Sequence, residues 1–211
     1  MKREYKAIPI LQYENQYVRL FGPGLEIKLP GYRINDGQKL HFGLVGRYAL
    51  SAGYESDDSR QLAGMNERKG GVWAGAKAKW ESSVANITAE WTTDLSGHSN
   101  GHLLNLGIDK TWRFDNQVML TPRLQAKWQD SNYIDYYFGV RDNEIRAGRA
   151  AYKGNAGISP EFALRTVYKL DPHHSIILDA GVTALAPEIK DSPLVDRSTE
   201  NNIFLGYLYR F

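Results

Sequence analysis

Residues 201–211 read NNIFLGYLYRF, and the apolar residues of this stretch recur at every second position. Side chains alternate between the two faces of a β-strand, so this spacing predicts a strand with one apolar face. The residues on that face are Ile203, Leu205, Tyr207, Tyr209 and Phe211. Chain ends are usually frayed and polar, so an amphipathic last strand needs an apolar partner. That partner is either a folded core or lipid.

The same alternation returns along most of the chain, for example in VMLTPRLQAKW at 118–128. There Leu120, Leu124 and Trp128 share one face, whereas Arg123 and Lys127 share the other. Such repetition predicts strands, and no segment shows a convincing helical stripe. The predicted strands, about ten in number, cover approximately 5–13, 17–29, 39–51, 71–81, 84–94, 102–113, 117–129, 160–170, 174–186 and 201–211.

Short and long connections alternate between these strands. Tight turns are predicted at 82–83, 115–116 and 171–174, and FGPG at 21–24 is predicted to bend or bulge the second strand. The longer links are 52–70, 95–101, 130–159 and 187–200, and a link at 30–38 lies on the side of the short turns. Outer-membrane barrels have short periplasmic turns and longer outer loops. We therefore expect an all-β fold, an antiparallel up-and-down transmembrane β-barrel of about 10 strands (10–12), as a single domain over 1–211.

Alternation alone does not say which face is inside. A soluble, lipocalin-like binding barrel would turn the apolar face inward, and this alternative stays open. Three features favour a membrane: segments of about ten residues, Trp or Tyr near many strand ends, and the aromatic residues of the last strand. We therefore expect outer-membrane lipid around the apolar face.

Composition excludes several classes of protein. The formal net charge is +2 and basic residues are dispersed, which argues against a nucleic-acid partner. Cysteine is absent, so disulfides and thiolate sites are excluded. No apolar run is long enough for a spanning helix or a signal peptide, so an exported protein would have lost its signal. The histidines lack a recognised metal or catalytic spacing, and we expect no catalytic, metal or cofactor site.

Charged residues on the polar faces of the strands form one candidate functional set. It contains Arg47, Lys77, Glu90, Asp109, Arg123, Arg165 and Asp179. A narrow barrel is largely filled by side chains, so these charges are expected to pair and plug the lumen. The alternative is a small pore in which a positive excess favours anions.

Two loops and the chain end carry further candidate motifs. The segment Tyr136, Tyr137, Phe138, Gly139 and Val140 is either an exposed contact motif or a cluster packed over the barrel mouth. A turn is predicted around Asp191, Ser192, Pro193 and Asp196, with a cation site including Glu188 as a weaker alternative. Tyr207, Tyr209 and Phe211 have the pattern of a C-terminal signal for the barrel-assembly machinery, or simply end a strand.

Three stretches resemble one known family. They are YKAIPILQYENQYVRL at 5–20, SNYIDYYFGVRDNEIRAGRAAY at 131–152 and IKDSPLVDRS at 189–198, and together they resemble the MltA-interacting protein family (MipA/OmpV). The resemblance implies a Gram-negative outer-membrane barrel that acts as a scaffold between a lytic transglycosylase and a penicillin-binding peptidoglycan synthase. It also leaves open a narrow solute or antibiotic channel, or an adhesin. Family members usually carry a further glycine-rich segment before the position of Tyr5, and we expect that segment to be missing here.

Overall fold

The computed structural model describes residues 12–49 and 53–209. Their strands form one sheet. The strands are β1 Gln12–Glu14, β2 Val18–Phe21, β3 Gly24–Asn35, β4 Gln38–Tyr48, β5 Val72–Glu81, β6 Asn86–Asp94, β7 His102–Asp109, β8 Trp112–Phe114, β9 Val118–Gln129, β10 Gly157–Lys169, β11 His174–Ala184 and β12 Thr199–Tyr209. Two helices, α1 Ser131–Phe138 and α2 Pro187–Lys190, lie in the loops, with a short 3-10 helix at Asp142–Glu144.

The sheet is an antiparallel meander in which neighbours in space are neighbours in sequence. The order runs from β1 to β7, then β9 to β12, and β8 continues the line of β7 by pairing with β9. The predicted all-β, antiparallel up-and-down class is confirmed. Within 12–49 and 53–209 no pairing joins β1 to β12, so the sheet is open at that seam. None of the helices in this part of the chain is long and apolar enough to cross a membrane.

The register puts apolar side chains of adjacent strands in continuous rows. One row contains Ile108, Leu124 and Phe162, which face one another across β7, β9 and β10. These side chains are exposed: Leu124 is 57% exposed, and Leu205 on β12 is 71% exposed. A soluble protein rarely exposes so large an apolar surface. The apolar face therefore points outward toward lipid, and the soluble lipocalin-like alternative is not supported.

Two sequence predictions near the beginning of the described chain are wrong. The segment 17–29 is not one bent strand, because a tight turn at Gly22 and Pro23 separates β2 from β3. Gly22 has φ of 54°, a conformation that favours glycine. The segment 30–38 is not a loose link, since β3 continues to Asn35 and only residues 36–37 form the turn. Of the predicted strand 5–13, residues 5–11 lie outside the described residues.

The helices were not expected from the sequence. Helix α1 begins after Asp130, whose carboxylate accepts a hydrogen bond from the Tyr133 backbone N–H at 2.9 Å. Ile134 and Tyr137, three positions apart, are its buried residues. A stripe in a helix of only eight residues is too short to stand out from the strand alternation around it. A smaller deviation is the break at 110–111, which divides the predicted strand 102–113 into β7 and β8.

Candidate functional site

The charged residues lie together on the inward, polar face of the sheet, and most are paired. Arg47 Nη1 donates to Glu90 at 2.9 Å, and Lys77 Nζ donates to Glu26 at 2.8 Å. The remaining pairs are Arg123 with Asp179 at 2.9 and 3.0 Å, Arg165 with Asp179 at 2.7 Å, and the Asn86 amide with Asp109 at 2.8 Å. All seven residues of the predicted lumen set therefore have partners. Glu26 was not predicted as the partner of Lys77, because its segment was assigned to a bent strand.

Helix α1 covers the end of the sheet from which the long loops emerge. Its Ile134 packs against Ala186 and Ile189 of the 185–198 loop. Its Tyr133 ring meets Trp73 of β5 edge-on, with ring centroids 5.7 Å apart. We name the loops 53–71, 130–156 and 185–198 the cap. The three loops meet although they follow β4, β9 and β11, so the sheet is strongly curved.

The predicted aromatic motif lies within the cap. Tyr137 and Val140 are buried, and Tyr136 and Phe138 are partly buried. The Tyr136 hydroxyl accepts from the Lys69 backbone N–H at 2.9 Å. Gly139 ends α1, and its N–H donates to the Asp135 carbonyl at 2.9 Å. Of the two alternatives, the structure shows the one in which this segment packs over the mouth of the sheet. A partner contact through the segment stays a prediction.

A buried ion pair joins two loops of the cap. Arg68 Nη2 donates to both carboxylate oxygens of Glu144 at 2.9 Å, and the side chains are 1% and 0% exposed. The Arg68 guanidinium also lies 5.9 Å from the Tyr54 ring centroid and 5.7 Å from that of Tyr136. We name Arg68 and Glu144 the latch. The other two guanidinium nitrogens, Nε and Nη1, donate to the Tyr136 and Asn66 carbonyls. In a buried, charge-assisted pair of this kind, either partner left alone is costly.

Further hydrogen bonds support the latch from both loops. Glu144 also accepts from the Asn66 and Arg141 backbone N–H groups, at 3.0 and 2.9 Å. Arg149 donates to the Glu144 carbonyl and, across the cap, to the carbonyls of Gln61 and Ala63. Burial acts to raise the pKa of Glu144, but the hydrogen bonds outweigh it and hold the pKa below its ordinary value. Glu144 is therefore ionised at neutral pH.

The predicted turn at 191–196 also belongs to the cap. The Ser192 hydroxyl donates to the Phe138 carbonyl at 2.6 Å, and Asp196 accepts from the Gln61 side-chain amide at 3.3 Å. The Asp191 N–H donates to the Pro187 carbonyl at 2.9 Å, which ends α2 just before Pro193. In the described part of the chain, no group of three or more His, Asp or Glu side chains could hold a metal ion. The motif serves here as loop structure.

The opposite end of the sheet consists of tight turns, and we name it the short-turn end. One turn contains Asp115 and Asn116, which have φ of 47° and 55°. In another, the Asp171 carboxylate accepts from the backbone N–H groups of His173 and His174 at 2.8 Å. The His174 ring lies 5.7 and 5.0 Å from the ring centroids of Tyr207 and Tyr209 on β12. Phe211 of the predicted C-terminal signal lies outside the described residues.

Sequence reasoning missed the latch. Arg68 and Glu144 are 76 positions apart, and both lie in loops without periodicity. Neither residue belongs to a spacing motif, so no local signal could have paired them. The contact between Tyr133 and Trp73 was missed because it joins a loop helix to a strand.

Comparison with known proteins assigns the family. A family model described as MltA-interacting protein MipA matches residues 1–211. The chain belongs to this family. The resemblance in the three sequence stretches is thereby confirmed.

Individual relatives of this MipA-family chain agree with the assignment. It is 27% identical to YiaT of Escherichia coli (strain K12) over 210 residues, which is 98% of this chain and 82% of the relative. It is 28% identical to the MltA-interacting protein of the same strain over 213 residues, 97% of this chain and 81% of the relative. Outer membrane protein OmpV of Vibrio cholerae is 26% identical over 177 residues, which is 79% of this chain and 65% of the relative. No solved structure gave a significant match.

These relatives assign the MipA-family chain to the Gram-negative outer membrane. OmpV of Vibrio cholerae and Omp26La of Vibrio anguillarum are both named outer membrane proteins. The exposed apolar face of the sheet agrees with this location. The relatives carry names of outer membrane or interacting proteins, and none of these names denotes an enzyme.

Proposed function

We propose that the protein is a non-enzymatic scaffold of the outer membrane that binds a lytic transglycosylase and brings it to a penicillin-binding peptidoglycan synthase. The proposal of a lytic transglycosylase as the first partner rests on one observation. Over 97% of its length, this chain is similar to a relative named MltA-interacting protein. The second partner rests on the family resemblance of the sequence alone. Assembly through Tyr207, Tyr209 and Phe211 by the barrel-assembly machinery belongs to the same proposal.

The partner surface in this proposal is the short-turn end. Enzymes of peptidoglycan work in the periplasm, and outer-membrane proteins place their short turns on that side. The cap forms many of its hydrogen bonds with itself, whereas the short-turn end presents exposed groups such as Val84, which is 80% exposed. This end is small, so its interface would fall below about 1,200 Å² and be weak and transient.

The arrangement of side chains around 94–102 supports a role without catalysis. This segment contains Ser, His and Asp side chains, the residue types of a hydrolytic triad. Asp94 accepts from the Ser99 N–H and hydroxyl at 2.7 and 2.9 Å and from the Ser96 N–H at 2.8 Å. His98 Nδ1 instead lies 2.9 Å from the Gly70 carbonyl. The carboxylate thus braces a loop, and the His98 imidazole forms its hydrogen bond with a backbone carbonyl.

The test is a binding titration of the purified transglycosylase against the full chain in detergent. Val84→Glu changes an exposed apolar residue of the short-turn end, and Ile145→Glu is the matched change in the cap, where Ile145 is 50% exposed. We expect Val84→Glu to weaken binding at least about tenfold and Ile145→Glu to leave it unchanged. Loss of binding only in Ile145→Glu would reject the short-turn surface and favour an outward role such as adhesion.

A narrow channel is the second candidate, because the polar face encloses a cavity of about 620 Å³. Tyr133 borders that cavity on the cap side, and the charges of the polar face are paired. We therefore expect little steady conductance in planar bilayers. Large and regular anion-selective steps would promote the channel over the scaffold.

A further inference from the structure

A chamber of about 620 Å³ lies in the polar face beneath helix α1. Its walls come from β4, β5, β6, β7 and β9, and Tyr133 of α1 borders it on the cap side. Toward the short-turn end, the next inward position on β9 after Gln125 is Arg123, which is bound to Asp179. The chamber therefore lies between the cap and an ion-pair cluster.

The charged groups at the chamber neutralise one another. Arg47 is paired with Glu90 at 2.9 Å. Lys127 is paired with Glu161 of β10. Each of the two cations that line the chamber is thus neutralised by a carboxylate, Glu90 in the lining and Glu161 behind it, and no unpaired charge favours an ionic guest. A charged ligand would lose hydration without gaining an unpaired countercharge, which is unfavourable.

Neutral polar groups of the chamber are left without protein partners. Among the described residues, the side-chain amides of Asn105 and Gln125 and the hydroxyl of Thr88 form no hydrogen bond to a protein group, although all three line the chamber. Gly107 lies opposite Gln125 in the ladder, and a Cβ added there would come 3.3 Å from Gln125 Cγ. The missing side chain at Gly107 helps keep this space open.

We propose that the chamber binds an uncharged, hydroxyl-rich molecule of mono- or disaccharide size. Amides and hydroxyls both donate and accept, and so do the hydroxyl groups of a sugar. The paired charges supply further donors and acceptors without selecting an ion. The volume falls in the range of about 300–1,000 Å³ found for small-molecule sites. This inference is independent of the scaffold function.

The experiment is calorimetric titration of the full chain in a zwitterionic detergent that carries no sugar. The probes are glucose, maltose and N,N′-diacetylchitobiose, with glucuronate and glucosamine as charged counterparts of glucose. We expect saturable binding of at least one uncharged sugar and binding of the charged sugars at least about tenfold weaker. Failure of all three uncharged sugars to saturate up to their solubility limits, or preference for a charged sugar, would overturn the proposal.

Variants locate the site. Asn105→Leu combined with Gln125→Leu should weaken sugar binding at least about tenfold. Asn201→Leu, the same change on exposed β12 outside the chamber, should leave it unaltered. Gly107→Ser provides a second test by reducing the chamber volume, and heat-modifiable gel mobility checks that each variant is folded. Unchanged affinity in both folded chamber variants would place the binding elsewhere and reject the assignment.

Discussion

The two ends of the sheet are held together in different ways. At the short-turn end, turns are closed by their own residues, as in the Asp115–Asn116 turn, where the Gln117 N–H donates to the Phe114 carbonyl at 3.1 Å, and neighbouring connections share single hydrogen bonds, such as that from the Lys169 N–H to the Gln117 carbonyl at 2.8 Å. At the cap, the loops are fixed by contacts between distant segments, above all the latch of Arg68 and Glu144. Local changes should therefore stay local at the short-turn end, whereas one change in the cap should release two loops.

Loss of the latch should lower stability more than any of the changes described below. Removing one partner of a buried ion pair leaves the other charge uncompensated, so Arg68→Ala should reduce the local stability of the cap by about 3–5 kcal/mol. Hydrogen exchange of the Asn66 and Arg141 amides, which donate to Glu144, measures that opening free energy.

Lys79→Ala is the control for the latch, because its pair with Glu81 is 30% and 41% exposed. Such a pair contributes less than about 1 kcal/mol, so exchange in the cap should not change. Equal exchange in wild type and Arg68→Ala would show that distant contacts do not hold the cap.

The next largest loss of stability should follow a substitution on the apolar face, midway between the cap and the short-turn end. Leu124 lies in the middle of β9 and points outward, so Leu124→Arg should cost about 2–4 kcal/mol of stability in lipid. Gln125→Arg places the same charge on the polar face, where it can remain hydrated, and should cost far less. Equal losses in urea unfolding from lipid vesicles would contradict the assignment of the faces.

A smaller effect is expected in the Asp115–Asn116 turn. The φ of 55° at Asn116 is strained for a β-branched residue, so Asn116→Val should destabilise the protein by about 1–2 kcal/mol. Asn116→Gly accepts this conformation and should be neutral or slightly stabilising. The hydrogen exchange of the cap should be the same in both variants, and a response there would contradict the independence of the two ends.

The protonation of Glu144 should have the smallest effect on the stability of the cap near neutral pH. The pKa of Glu144 is lowered in the folded protein, so its contribution is present above the ordinary value of 4.5 and is lost as the pH falls through the lowered pKa. The opening free energy of the cap, obtained from amide exchange after correction for the intrinsic exchange rate at each pH, should therefore be insensitive to this group between about pH 5 and 8 and should fall in more acidic solution. Glu144→Gln should remove that acid dependence, and its persistence in the variant would assign it to another group.

The short-turn end depends on local contacts and the cap on contacts between distant segments, and this difference decides which parts of the structure the sequence could predict. Alternation of Leu124 with Arg123 and Gln125 is a property of neighbouring residues, so strands and faces could be assigned. Asp115–Asn116 and Asp171 carry their turn chemistry locally. The apolar alternation continues on both sides of Gly22–Pro23 and so predicts a bend within one strand, although a glycine at positive φ also permits a hairpin. The cap depends on pairs such as Arg68 with Glu144, and no local pattern encodes them.

The candidate sites follow the same rule. Arg47, Lys77 and Asp179 were predicted inward from strand periodicity, but their partners Glu90, Glu26 and Arg123 lie two strands away and depend on the register of the sheet. The chamber could not be predicted, because it results from sheet curvature and from Gly107 among larger neighbours.

The scaffold function requires that the cap faces outward and the short-turn end faces the periplasm, where a peptidoglycan enzyme can bind. The chain contains no cysteine, so single cysteines introduced at Ala147 of the cap and at Ser83 of the short-turn end report on orientation directly. Both positions are exposed. In intact cells, a membrane-impermeant maleimide should label Ala147→Cys, and it should label Ser83→Cys only after the outer membrane is permeabilised. Labelling of Ser83→Cys alone in intact cells would contradict the orientation and the scaffold function that depends on it.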